Sequence, residues 1–250
     1  QRLELFAASE TGLYVQVTDD PTVEPVTSED GSPWYAHARW ANDGSVIDGK
    51  VSFNGRRWEG GDVTEAGIYA ASLDPDLLGT GFAPVPPTLQ PISPPLRDIP
   101  TWGSGFNGSY AWSPDGSAVV FDSSSSPDCC GLRIQTLGGP VTVLTTDSAN
   151  YPRWSNVRSD GGSLIAFRSA LGIEVIQPDG AGRRALVSNT VSREFRWSPS
   201  GAYLAYGLTP TRRMQATNII VFRIHYSGSG NTRLTGDLDW CDVRGWPKAE

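Results

Sequence analysis

The chain has 250 residues, enough for one large all-β domain or two ordinary ones. Its 28 glycines and 19 prolines, with no apolar 3.6-residue period sustained over three turns, exclude a helical bundle and predict strands joined by turns. A net charge of −7 and a pI near 4.9 argue against a nucleic-acid partner, which would need a basic footprint.

Leu3 to Ala8 and Gly12 to Val17 read as strands, and Glu24 to Thr27 as a short third. The next unit runs from Trp34 to Trp40, crosses Asn42-Asp43-Gly44, and continues through Val46 to Phe53 and Gly67 to Leu73. Asn54 to Ala66 reads as an insertion between those last two strands. The proline-rich stretch from Asp74 to Gly108 predicts one poor outer strand and a long loop, because repeated prolines favour extended, unpaired backbone.

The clearest local signal follows. Tyr110 to Phe121, YAWSPDGSAVVF, reads as a strand, a Ser-Pro-Asp-Gly turn and a returning strand. Proline presets φ at the first corner, Asp115 bonds nearby backbone, and Gly116 accepts positive φ. Gly131 to Leu137 and Val141 to Thr145 complete this unit. A fourth unit comprises Tyr151 to Trp154, Leu164 to Phe167, Gly172 to Gln177 and Arg184 to Ser188. A fifth comprises Glu194 to Trp197, Tyr203 to Tyr206, Asn218 to Ile224 and Thr232 to Thr235. The last stretch, DLDWCDVRGWPKAE, reads as the first strand of another unit, ending at Trp246.

Trp112, Trp154 and Trp197 are 42 and 43 residues apart, the period of a four-stranded propeller blade. The fold expected is therefore an all-β propeller of four-stranded blades in one domain. Tryptophans 40, 112, 154, 197 and 246 give five blades, or six if residues 75–108 hold an eroded one. The units are approximately 238–250 with 1–28, then 34–93, 109–146, 151–189 and 194–236. The first of these would close the ring by pairing the C-terminal strand with N-terminal ones, which removes an exposed sheet edge.

The strings YAWSPDGSAVVF, PRWSN and REFRWSPSGAYLAY, the first two followed by GLRIQTL and GIEVIQ, resemble the TolB-type, WD40-like propeller repeat. Related propellers form the non-catalytic domain of prolyl-oligopeptidase-type peptidases. The resemblance implies a bacterial protein in an extracytoplasmic setting, the periplasm or cell surface.

The repeated Trp, Pro, Asp and Gly residues are expected to pack between sheets and fix turns. Function is expected where units differ. In a four-stranded antiparallel sheet the second-to-third-strand connection and the link to the next sheet emerge at the same end. Asn54 to Ala66, Asp122 to Cys130, Gly207 to Thr217, Ser93 to Gly108 and Gly236 to Cys241 all fall there. Elaborated loops on a rigid scaffold are where recognition concentrates. Arg56, Arg57, Trp58, Glu59, Trp102, Phe106, Arg212, Arg213 and Trp240 are the expected binding residues, rich in the Arg and Trp of interface hot spots.

The expected function is non-enzymatic binding of other protein subunits within a larger exported assembly. The alternative is a five-bladed glycosidase or glycan-binding propeller, for which Glu59 and Asp239 would be candidate carboxylates. No G-x-S-x-G elbow accompanies His37 or His225, and two histidines without clustered ligands predict no catalytic zinc. No cofactor is expected. Asp237, Asp239 and Asp242 could hold Ca²⁺ through oxygen ligands but are read in preference as a flexible acidic link. Cys129 and Cys130 read either as idle thiols or as an adjacent-residue disulfide, and Cys241 as a lone thiol. No apolar run approaches the ~18 residues of a membrane span, and the first residues lack a signal-peptide pattern.

Overall fold

The computed structural model describes residues 6–8, 14–16, 23–25, 39–40, 50–59, 62–72, 90–91, 110–122, 131–136, 139–188, 191–208 and 220–235. Among these there are strands and turns and no helix. Strands β1 (Phe6–Ala8) and β2 (Tyr14–Gln16) form an antiparallel pair, Phe6 opposite Gln16. The expected junction of Phe6 with Trp246 lies outside the described residues, as do His37, the cysteines and the acidic link.

The second sheet contains β3 (Val23–Pro25), β4 (Arg39–Trp40), β5 (Lys50–Glu59), β6 (Asp62–Ser72) and β7 (Gln90–Pro91). Here Asn54 to Ala66 is not a loop. It continues β5 and β6 into one long hairpin, paired from Lys50 opposite Ser72 to Glu59 opposite Asp62. A bulge between Arg57 and Trp58 shifts the register, so Arg57 stands opposite Glu65 and Trp58 opposite Val63. On the other side of β5, β4 pairs with Val51 and Ser52, while β3 pairs further out with Gly55 to Arg57. Within the proline-rich stretch, β7 is the expected outer strand and pairs with Tyr69 and Ala70.

Three regular four-stranded sheets follow, each antiparallel in chain order. The first holds β8 (Tyr110–Trp112), β9 (Ala118–Asp122), β10 (Leu132–Thr136) and β11 (Val141–Val143). The next holds β12 (Ala149–Trp154), β13 (Ile165–Ser169), β14 (Gly172–Ile176) and β15 (Arg184–Val187). The last holds β16 (Val191–Trp197), β17 (Tyr203–Leu208), β18 (Ile220–His225) and β19 (Thr232–Arg233).

The same hydroxyl device closes each first hairpin. Ser113, Ser155 and Ser198 directly follow the three tryptophans, and each gives its backbone N–H to the returning strand, at Ala118, Leu164 and Tyr203. Each hydroxyl then accepts the N–H of that same residue, at 2.9, 2.9 and 3.1 Å. Serine is needed because its short side chain satisfies a buried backbone donor at the hairpin mouth. Gly116 and Gly201 complete two of these turns at φ 69° and 66°, where a Cβ is unfavourable.

The sheets stack through apolar faces. Val120 and Leu132 of one sheet join Ala149, Ile165, Phe167 and Ile176 of the next in one buried cluster. A second cluster unites Ala166, Ile173 and Val175 with Phe195, Trp197, Leu204 and Tyr206. In both cases the first strand of a sheet lies on its predecessor: β12 packs on β8 and β9, and β16 packs on β12. Fully burying one such side chain contributes about 1.5–3 kcal/mol, so these interfaces dominate the stability of the stack.

Candidate functional site

The antiparallel order gives each sheet two unlike ends. At one end lie the tryptophan turns and the third-to-fourth-strand turns. At the other lie the second-to-third connections and the links. The long β5–β6 hairpin is a second-to-third connection, and it places Arg56, Arg57, Trp58 and Glu59 on a paired strand. Trp102, Phe106, Arg212, Arg213 and Trp240 lie outside the described residues. The corresponding connection between β13 and β14 is a tight turn, with Ser169 opposite Gly172.

Two first strands are irregular at this end. β12 shifts register between Asn150 and Arg153, and β16 between Val191 and Phe195. Tyr151, in the first of these bulges, stands at φ 55°, a left-handed conformation costing a non-glycine residue roughly 1–2 kcal/mol. Bulges re-aim side chains where a strand meets a functional surface.

A cross-sheet ion triad ties the link before β12 to the sheet that follows. Arg183 forks onto Asp147, Nη1 to Oδ1 at 2.6 Å and Nη2 to Oδ2 at 2.7 Å. The same guanidinium meets Glu174 on β14 at 2.7 Å, and its Cζ lies 5.4 Å from the Phe167 ring centre. The Arg183 bonds hold the Asp147 carboxyl below its ordinary range, and the two carboxylates raise Arg183 in return. Glu174 is buried, so this triad reads as a structural clamp.

The turn end carries a feature absent from the sequence reading. A cleft of about 550 Å³ opens between the β8–β11 and β12–β15 sheets. Trp154 and Ile134 line it together with three prolines, and Asp115 and Asp179 bring carboxylates to it. Asp115 is held below the ordinary carboxylate range by the Ser113 hydroxyl and then by the Ser117 N–H and hydroxyl. The next junction is built differently. There Trp197 donates its indole N–H to the Arg153 carbonyl at 2.9 Å, and Asn156 donates to the Pro199 carbonyl. Trp154 instead turns to Ser163 within its own turn, at 3.0 Å. A signal for this existed in the sequence: the turn after Trp154 is longer than those after Trp112 and Trp197.

His225 bonds Ser227 through Nδ1 at 2.7 Å, lies tilted against the Tyr226 ring and meets the Tyr203 ring edge-on. Among the described residues, no three His, Cys, Asp or Glu side chains gather in a way that could hold a metal ion. Nor is any helix there long and apolar enough to cross a membrane.

Four-stranded antiparallel sheets stacked through their first strands make this an all-β, propeller-like fold. Comparison with solved structures agrees on the fold. A mutant of puromycin hydrolase complexed with PGG matches over 99% of this chain and 37% of its own, with TM-score 0.54 and 14% identity. Puromycin hydrolase itself matches over 94% and 36%, with TM-score 0.51 and 16% identity. A TolB from Agrobacterium tumefaciens matches over 70% of this chain and 59% of its own, with TM-score 0.44 and 14% identity. The chain thus spans little more than a third of the hydrolase and under two thirds of the TolB. No protein-family profile and no curated protein matches the sequence.

Proposed function

We propose that this chain is a TolB-type propeller module, without catalytic activity of its own, that binds a protein partner in an extracytoplasmic assembly. The surface used is the strand end that bears the long hairpin. The observation that carries this reading is the β5–β6 pair itself. Its strands of 10 and 11 residues compare with 2 to 7 in the three regular sheets. Continuous pairing makes a stiff arm, and stiffness lowers the entropy lost when a partner docks. The bulges in β12 and β16 elaborate the same end. The ring that would complete the surface has five blades, led by Trp40, Trp112, Trp154, Trp197 and Trp246, with the last strand closing on the first.

The test compares the unaltered chain with Arg57→Ala and Trp58→Ala in quantitative co-purification from the native source, with circular dichroism monitoring the fold. Both substitutions are expected to reduce capture of the same partner at least tenfold, as hot-spot residues do. Undiminished capture, or turnover of a substrate in a glycoside panel, would defeat the reading.

A further inference from the structure

The two described junctions at the turn end perform an internal comparison. In the second, between the β12–β15 and β16–β19 sheets, the space is filled from within. Arg158 places its guanidinium carbon 4.4 Å from the Tyr226 ring centre and bonds Asp160 Oδ2 through Nη2 at 3.0 Å and Nε at 3.3 Å. Tyr226 OH reaches the same oxygen at 3.5 Å, while the Tyr226 carbonyl accepts Nη2 of Arg184. Asp160 meanwhile holds its own turn with the other oxygen, Oδ1 accepting the Gly162 N–H at 2.9 Å.

Asp115 occupies the same place in the preceding turn. It too stands before a glycine of positive φ, 69° at Gly116 against 79° at Gly161. Its Oδ1 accepts the N–H two residues on, from Ser117 at 3.0 Å, and both the Ser113 and Ser117 hydroxyls end on that same oxygen. At this junction no arginine precedes the aspartate: the turn is Ser-Pro-Asp-Gly. The tyrosine place is also changed. Gln177 and Gly180 close the β14–β15 turn as His225 and Gly228 close the β18–β19 turn, so Pro178 stands where Tyr226 stands. With both filling side chains missing, the cleft remains open, walled by Trp154 and flanked by Asp115 and Asp179. Asp179 likewise uses Oδ1 for its turn, accepting the Ala181 N–H at 2.8 Å.

We propose that this cleft receives an arginine side chain from an extended peptide segment of a partner protein, with the guanidinium on Asp115 Oδ2 and the stem along Trp154. Charge complementarity selects the occupant: two carboxylates, and no basic side chain, frame a cleft otherwise lined by apolar and hydroxyl side chains in a chain of net charge −7. Guanidinium suits it better than ammonium, because its planar fork pairs with a carboxylate while its face stacks on an aromatic ring. The neighbouring junction shows that combination realised within this chain. The inference does not rest on the hairpin-bearing surface, which is at the other strand end.

The probe is acetyl-Ala-Pro-Arg-Pro-Ala-amide, titrated into the isotope-labelled 250-residue chain and followed by amide and indole chemical shifts. The shifts expected are at Gly116, Ser117, Ala181 and the Trp154 indole. A peptide with citrulline for arginine, equal in shape and neutral, should bind about tenfold more weakly, since hydrogen bonds between charged groups are the stronger kind. Asp115→Asn keeps the oxygen that holds the turn and should also weaken binding about tenfold. Thr142→Trp, which fills the cleft from its wall, should abolish it. If Asp115→Asn disturbs the fold, the citrulline peptide on the unaltered chain still decides. Equal binding of the citrulline peptide, shifts confined to other regions, or no shifts at millimolar peptide would overturn the proposal.

Discussion

Replacing Arg183 with methionine isolates the contribution of the ion triad. The substitution keeps an apolar stem over Phe167 and removes the charge that faces Glu174. Glu174 is 5% exposed, so its carboxylate loses a partner where water hardly reaches it. Breaking a buried pair by removing one member costs about 3–5 kcal/mol when both are buried. The Arg183 side chain is 30% exposed, and solvent screening brings the expected loss to about 2–3 kcal/mol. For a domain of this length that is a fall of roughly 4–12 °C in Tm, read by urea and thermal unfolding with circular dichroism. Pairing Arg183→Met with Glu174→Gln should restore part of the loss, because the orphaned charge is then gone. Asp147, at 57% side-chain exposure, should matter less: Asp147→Asn is expected to cost under about 1 kcal/mol. Its folded pKa is depressed, so its contribution is present above the ordinary carboxylate range and is lost as pH falls through the folded value. The reasoning fails if Arg183→Met leaves the urea midpoint unchanged at pH 7. It also fails if Asp147→Asn remains equally costly below the folded titration.

Three further substitutions test the hairpin chemistry. Ser155→Ala removes the hydroxyl that accepts the Leu164 N–H at a fully buried site, so a loss of about 1–3 kcal/mol is expected in urea unfolding; a change below ~0.5 kcal/mol would show that the donor finds another partner. Gly116→Ala and Gly201→Ala share a positive φ, but a Cβ at Gly116 meets open space while one at Gly201 would sit 2.5 Å from the Asn156 carbonyl oxygen. The first should cost about 1–2 kcal/mol and the second distinctly more, and equal unfolding midpoints would refute the steric difference.

The tryptophan hairpins were legible in the sequence because their determinants are local: proline, aspartate and glycine act within four residues. Tyr110–Trp112 and Ala118–Asp122 therefore match their expected strands closely, as do Gly172–Ile176 and Arg184–Val187. The extension of β5 and β6 was hidden. Asn54-Gly55 and Gly60-Gly61 both look like turns, and the adjacent arginines break the alternation that announces a strand. The β5–β6 ladder holds this stretch extended, joined at Gly55 to Arg57 by β3 from some thirty residues earlier in the chain, and such a distant partner does not show in local composition. The cleft was hidden for a different reason. It depends on which side chains of two sheets meet at one junction, where Ser-Pro-Asp-Gly lacks an arginine and Pro178 stands in the tyrosine place, while the Trp154 indole bonds Ser163 within its own turn.

The short strand β3 has one more consequence. Three residues ending in Pro25 are what occupies the outer half of one side of β5, from Gly55 to Arg57. Should that cover lift, a row of unsatisfied backbone donors and acceptors would face solvent beside the hairpin tip, and another chain could add a strand there. Val23–Pro25 thus closes a sheet edge that would otherwise stand open to strand addition.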